Sequence, residues 1–132
     1  MKYMLDTNAW IFLTDSPQQI PKKTLKLVRD LANAPLGLAA ISPWEVAKKS
    51  ALGKLQLALP VRQWLERGTQ TEGIRLLPLT PDIAYDSAYL PSAFHRDPAD
   101  QLIVATARVH NLVLITSDQR IQSYPHVKTF WA

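Results

Sequence analysis

Five short apolar runs recur along the chain, each followed or preceded by a stretch with helical signals. They are Tyr3–Leu5 inside KYMLD (residues 2–6), LGLAAI (36–41), IRLLPL (74–79), LVLIT (112–116) and VKTFW (127–131). LVLIT has no polar alternation, which is typical of a strand covered on both faces. The prolines around IRLLPL place that strand near an edge. Strand alternating with helix is the pattern of a sheet layered between helices, mostly parallel. The fold expected is therefore an α/β/α sandwich, in which ligands gather at the carboxyl ends of the strands.

The helical stretches carry their own start and stop signals. One helix begins after Asp6 and stops near Ser16-Pro17. A second starts between Ser16 and Pro21, with Leu25, Leu27, Val28 and Leu31 at roughly helical spacing, and stops before Pro35. In SPWEVAKKSALGKLQL, Ser42 is placed to cap, Pro43 suits the first turn, and Glu45 follows three after the cap. Gly53 weakens or ends that helix. Pro60 to Arg67 is helical, and Gly68 to Gly73 reads as a turn. Thr80-Pro81-Asp82 opens another helix, through Tyr89. Asp97-Pro98 opens one that runs to Val109, with His110-Asn111 as its terminus. Asp118 opens a last short turn.

The 132 residues form one domain, 1–132, and their 47% apolar content allows a core without covalent staples. There is no cysteine, which excludes disulfides, thiolate nucleophiles and sulfur-ligated zinc. No leader and no run of about 18 apolar residues is present, so a cytoplasmic protein without a membrane span is expected. The four glycines form neither a GxGxxG nor a GxxxxGK[ST] stretch.

Four acids fall at matching places. Asp6 ends the first strand, Glu45 lies in the first turn after the second, and Asp118 follows LVLIT. Asp100 opens the helix before LVLIT, and the loop from Leu90 to Arg96 is long enough to return it to the same edge. Each has a structural alternative. Glu45 can close a capping box with Ser42, while Asp6, Asp97 and Asp118 can cap helices. Asp100 fits that alternative least, because it shares a helix face with Ile103, Val104 and Ala107. A carboxylate there must be paired, with Arg96 or Arg108 for example, or bound to a metal.

Carboxylates sharing one cleft repel one another and raise each other's pKa unless a cation neutralises them. Oxygen donors without cysteine point to magnesium or manganese. The histidines show no metal spacing; His95 is the one placed to touch a substrate. Thr7, Asn8, Thr116 and Ser117 are small polar groups positioned to hold a carboxylate or a water. With Asp6, Glu45, Asp97, Asp100 and Asp118 clustered, 15 Lys and Arg face only six remaining acids, a balance that attracts polyanions. Lys48, Lys49 and Arg96, beside the acids in sequence, are candidates for phosphate contacts.

MLDTNAWIF, ISPWEVAKK, FHRDPADQLIVATA and LITSD together resemble the PIN-domain ribonucleases, above all the VapC-type toxins of toxin–antitoxin pairs. The resemblance spans essentially the whole chain. It departs at Gln101, where the subgroup commonly has Arg. The resemblance implies a metal-dependent ribonuclease with Asp6, Glu45, Asp100 and Asp118 as the acidic site. Asp97 would be an additional acid, with Thr7 and Asn8 in support. It further implies one or two Mg2+ or Mn2+ ions and products with 5′-phosphate and 3′-hydroxyl ends. A homodimer is implied, as is a small antitoxin partner, through which alone promoter DNA would be reached. Two other readings stand beside it. One is a non-catalytic PIN-like module for RNA or protein binding, with Trp10, Trp44, Trp64 and Trp131 available for an interface. The other is an aspartyl phosphotransferase, which would need an acid where Asn8 stands.

Overall fold

A computed structural model describes residues 1–132. Its five strands are β1 (Tyr3–Leu5), β2 (Leu36–Ala39), β3 (Ile74–Leu77), β4 (Val113–Ile115) and β5 (Thr129–Phe130). They form one sheet in the order β3-β2-β1-β4-β5, every pair parallel. β3 is an edge strand, and Pro78 directly follows it. The helices are α1 (Thr7–Asp15), α2 (Lys22–Arg29), α3 (Ile41–Ala51), α4 (Val61–Gln70), α5 (Pro81–Ala88), α6 (Pro98–Val109) and α7 (Gln119–Gln122). No helix is long and apolar enough to cross a membrane.

Successive strand residues point to opposite faces, and the two faces bury separate clusters. Met4 and Leu114 meet Ile103, Val104 and Ala107 of α6, with Ile121 and Tyr124. Leu5, Leu38 and Ile115 meet Ala9, Trp10 and Ile11 of α1, Val46 of α3 and Trp64 of α4. The sheet is thus covered on both sides, giving the α/β/α layers expected from LVLIT. Trp10 and Trp64 are each 1% exposed and meet edge to face at 4.6 Å between ring centres. Their indole N–H groups donate to the Gly68 carbonyl (3.1 Å) and the Asp15 carboxylate (2.9 Å), so neither ring buries an unmet donor.

Three local expectations give way to tertiary contacts. Helix α4 does not stop at Gly68 but runs to Gln70. A Cβ on Gly68 would lie 2.7 Å from the Trp10 ring, so this glycine serves close approach and not a turn. Helix α2 ends at Arg29, and Leu31 stands outside it, 88% exposed. Helix α3 starts one residue before Ser42, with Ala40 as its N-cap and no side-chain cap. Its other end is as expected: Leu52 is the C-cap, and Gly53 follows in the left-handed region at φ +70°.

Candidate active site

The parallel register sets the geometry at the carboxyl edge of the sheet. Leu5 pairs with Ile115, so the next residues, Asp6 and Thr116, lie side by side. The buried Thr116 hydroxyl donates to Asp6 Oδ2 and accepts from the Asp118 N–H at 3.1 Å. The other Asp6 oxygen accepts from the Ala9 N–H at 2.7 Å, capping α1. Asp118 caps α7 by accepting from the Arg120 N–H at 2.8 Å. Asp97 caps α6, accepting from the N–H groups of Ala99 and Asp100.

Glu45 has a different partner from the one its local sequence suggests. Ser42 does not cap α3; its buried hydroxyl lies 2.9 Å from Thr7 Oγ1. Thr7 in turn donates to Glu45 Oε1 at 2.5 Å. The early start of α3 moves Glu45 beyond the first turn, where it faces α1. Lys49, one turn on, approaches Glu45 Oε2 at 3.6 Å.

Asp100 is paired with neither Arg96 nor Arg108. Arg108 is engaged by Asp86, at 2.9 Å and 3.2 Å. Asp100 Oδ2 instead lies 2.7 Å from His95 Nε2, and Gln101 donates to the His95 carbonyl at 3.1 Å. The guanidinium of Arg120 sits between Asp100 (3.5 Å) and Asp118 (3.4 Å). Arg120 was not a candidate from the sequence. Its contact with Asp100 is set by tertiary placement, for which the local sequence carries no signal.

Asp6, Glu45, Asp97, Asp100 and Asp118 line one cleft of about 150 Å3, together with Thr7, Asn8, Lys49 and Arg120. Thr116 lies beneath it, and Lys48 lines the adjoining surface. Ser117 and Arg96 do not line the cleft, and Arg96 is exposed. No three acids or histidines converge closely enough to form a ready-made ion cage. The reason is visible in the contacts: each carboxylate is turned to its own donor, and Arg120 fills the gap between two of them.

The acids differ in charge cost. Asp6 is only 6% exposed, and burial, reinforced by the charges of Asp100 and Asp118, pushes its pKa to about 6. The hydrogen bonds from Thr116 and Ala9 oppose that rise. Burial also raises Glu45 and Asp100, against the bonds from Thr7 and His95. Burial works against the Asp118 charge too, but the backbone and guanidinium of Arg120 outweigh it and leave that carboxyl below its ordinary value.

Residues 3–127 match the PIN domain family. The chain belongs to the PIN-domain family. This PIN domain is 35% identical, over 130 residues, to Ribonuclease VapC22 of Mycobacterium tuberculosis, covering 97% of each chain. Among solved structures it resembles VapBC-1 from nontypeable Haemophilus influenzae, with a TM-score of 0.68 and 25% identity over 98% of this chain and 97% of that one. It also resembles VapBC2 from Rickettsia felis, solved with a fragment of promoter DNA. There the TM-score is 0.72, at 16% identity, with both chains fully covered. That last likeness concerns the fold of the PIN domain alone.

Proposed function

We propose that this chain is a metal-dependent ribonuclease, the toxin of a toxin–antitoxin pair acting in the cytoplasm. The observation that carries the reading is the cleft itself. Asp6, Glu45, Asp100 and Asp118, from four separate elements, line one opening at the carboxyl edge of a parallel sheet. The similarity to a ribonuclease over 97% of the chain supports it.

The donor set fits a hard divalent cation. It is all oxygen, and three of its carboxyls are held above their ordinary pKa by burial, a cost that a nearby positive charge would reverse. Asp6, Glu45, Asp100 and Asp118 would hold one or two Mg2+ or Mn2+ ions. A bound ion supplies polarisation of the phosphoryl oxygens and neutralises charge developing there.

The chain's own groups prepare that role. Thr116 fixes the orientation of Asp6, Thr7 holds Glu45, and His95 holds Asp100. Arg120 supplies positive charge between Asp100 and Asp118, and its 62% exposed side chain is free to swing away as the acids converge. Lys49 offsets the charge of Glu45, and Lys48 with Arg96 offers ammonium and guanidinium groups to the RNA backbone. The partners assigned are the RNA substrate, a small antitoxin and a second copy of this chain. Promoter DNA would be reached only through the antitoxin.

A second reading is favoured by one observation: each acid already has a protein donor, and no cage is preformed. A non-catalytic module that holds RNA or a protein partner would look the same. Comparing the wild-type protein with Asp100→Asn on total cellular RNA, with Mg2+, Mn2+ or EDTA, separates the two. Metal-dependent cutting by the wild type and nearly none by the variant is expected. Equal cutting by both, or cutting in EDTA, removes the proposed chemistry.

A further inference from the structure

We propose that the surface cavity beside Trp44 is a nucleobase subsite, which stacks one unpaired base of the RNA next to the acidic cleft. The inference takes its ligand class from the ribonuclease reading. Its physical basis is the exposure of Trp44. Trp10 and Trp64 are buried, whereas Trp44 is 55% exposed on α3, a helix that has apolar contacts available on its other side. More than half of Trp44 meets solvent, where it is available to a ligand.

The spacing on α3 explains what Trp44 faces. Residues four apart stand in one column on a helix. Glu45 and Lys49 form the column that lines the acidic cleft. Trp44 and Lys48 form the adjacent column, and with Pro98 at the start of α6 they line a second cavity of about 280 Å3. Glu45, Lys49 and Asp97 line both, so the two openings adjoin. A flat π surface flanked by two ammonium groups matches a single nucleotide, base on the ring and phosphates on the lysines. The cavity of about 280 Å3 has room for one planar ring.

The subsite carries a consequence for substrate choice. A base can lie on Trp44 only when it is free of its own stack, so unpaired RNA is preferred over duplex.

The test uses the full chain carrying Asp100→Asn, so that RNA is held and not cut, with fluorescein-labelled single-stranded oligoribonucleotides in Mg2+. Trp44→Leu is expected to weaken binding about 5- to 150-fold, the range of one base–aromatic stack, while Trp44→Phe retains most of it. Abasic substitution at one oligonucleotide position should weaken binding to the Trp44 protein and have no further effect on Trp44→Leu. Thermal unfolding checks that both variants fold. Unchanged RNA affinity in Trp44→Leu overturns the inference. So does a loss that no abasic position reproduces, or a loss confined to capture of the co-expressed antitoxin. The two readings fail separately. Wild-type protein that leaves RNA uncut with Mn2+ sinks the ribonuclease, yet the abasic coupling would still stand. Metal-dependent cutting without that coupling sinks the subsite alone.

Discussion

Replacing Asp6 by Asn should make the metal-free protein more stable at neutral pH. Burial raises the folded-state pKa of Asp6 from 3.8 to about 6. The folded chain therefore holds the Asp6 proton more tightly than the unfolded chain does. Its contribution to stability is fully present below pH 3.8, falls as pH rises, and is lost above about pH 6. Each pKa unit is worth ~1.36 kcal/mol, so ionised Asp6 costs the fold about 3 kcal/mol at pH 7.5. Asn keeps an oxygen for the Ala9 N–H and removes the charge, while its NH2 replaces the oxygen that accepts from Thr116, a loss that does not vary with pH. The assay is urea unfolding of both proteins in EDTA from pH 3.5 to 8. The difference between them should be flat below pH 4, grow in the variant's favour to about pH 6, and level off there. Glu45 titrates in both proteins and largely cancels, whereas Asp100 and Asp118 repel Asp6 only in the wild type, which acts in the same direction. Added Mn2+ should narrow the gap by stabilising the wild type. A difference that does not change between pH 4 and 7 would refute the argument, because Asp6 would then carry its charge at no cost.

Two further perturbations test the fold around the cleft. Gly68→Ala places a methyl 2.7 Å from the Trp10 ring and should lower stability by about 1–3 kcal/mol, read by thermal or urea unfolding; no loss would mean that α1 and α4 are less closely packed. Leu31→Glu charges an 88% exposed side chain lining a groove of about 420 Å3 that reaches Trp10, an apolar surface of the kind a second copy of the chain would cover. It should shift sedimentation toward monomer, and an unchanged profile would place the dimer contact elsewhere.

What could be read from the sequence was whatever depends on short range or on burial. Leu112 to Ile115 are all apolar because the strand is covered on both faces, and Pro78 after β3 is consistent with an edge because Pro cannot donate to a ladder. Asp97-Pro98, Thr80-Pro81 and Asp118 start helices in the structure where they do in the sequence. The four acids were visible because strand ends and helix starts share one edge of a parallel sheet. Partnerships were not visible. Ser42 and Glu45 spell a capping box, but Thr7, 38 residues before Glu45, takes both side chains. His95 and Arg120 reach Asp100 only because the loop after α5 and the start of α7 arrive at the same edge. Gly68 reads as a break until Trp10 is seen against it. In each case a distant side chain outweighs a local preference worth about 1 kcal/mol.

The position of β1 bears on how the molecule is made. It is the central strand, yet its partner β4 is more than a hundred residues downstream, and the Asp6–Thr116 bond spans 110 positions. Ribosomal synthesis runs from the amino end, so Asp6 emerges long before Thr116, Asp118 or half of its own sheet exists. An incomplete nascent chain holds Glu45 with its Thr7 partner but leaves Asp6 without Thr116, and the cleft without Asp100 and Asp118. The cleft is therefore assembled only after Thr116 and Asp118 have been made, and a chain shorter than that cannot complete it.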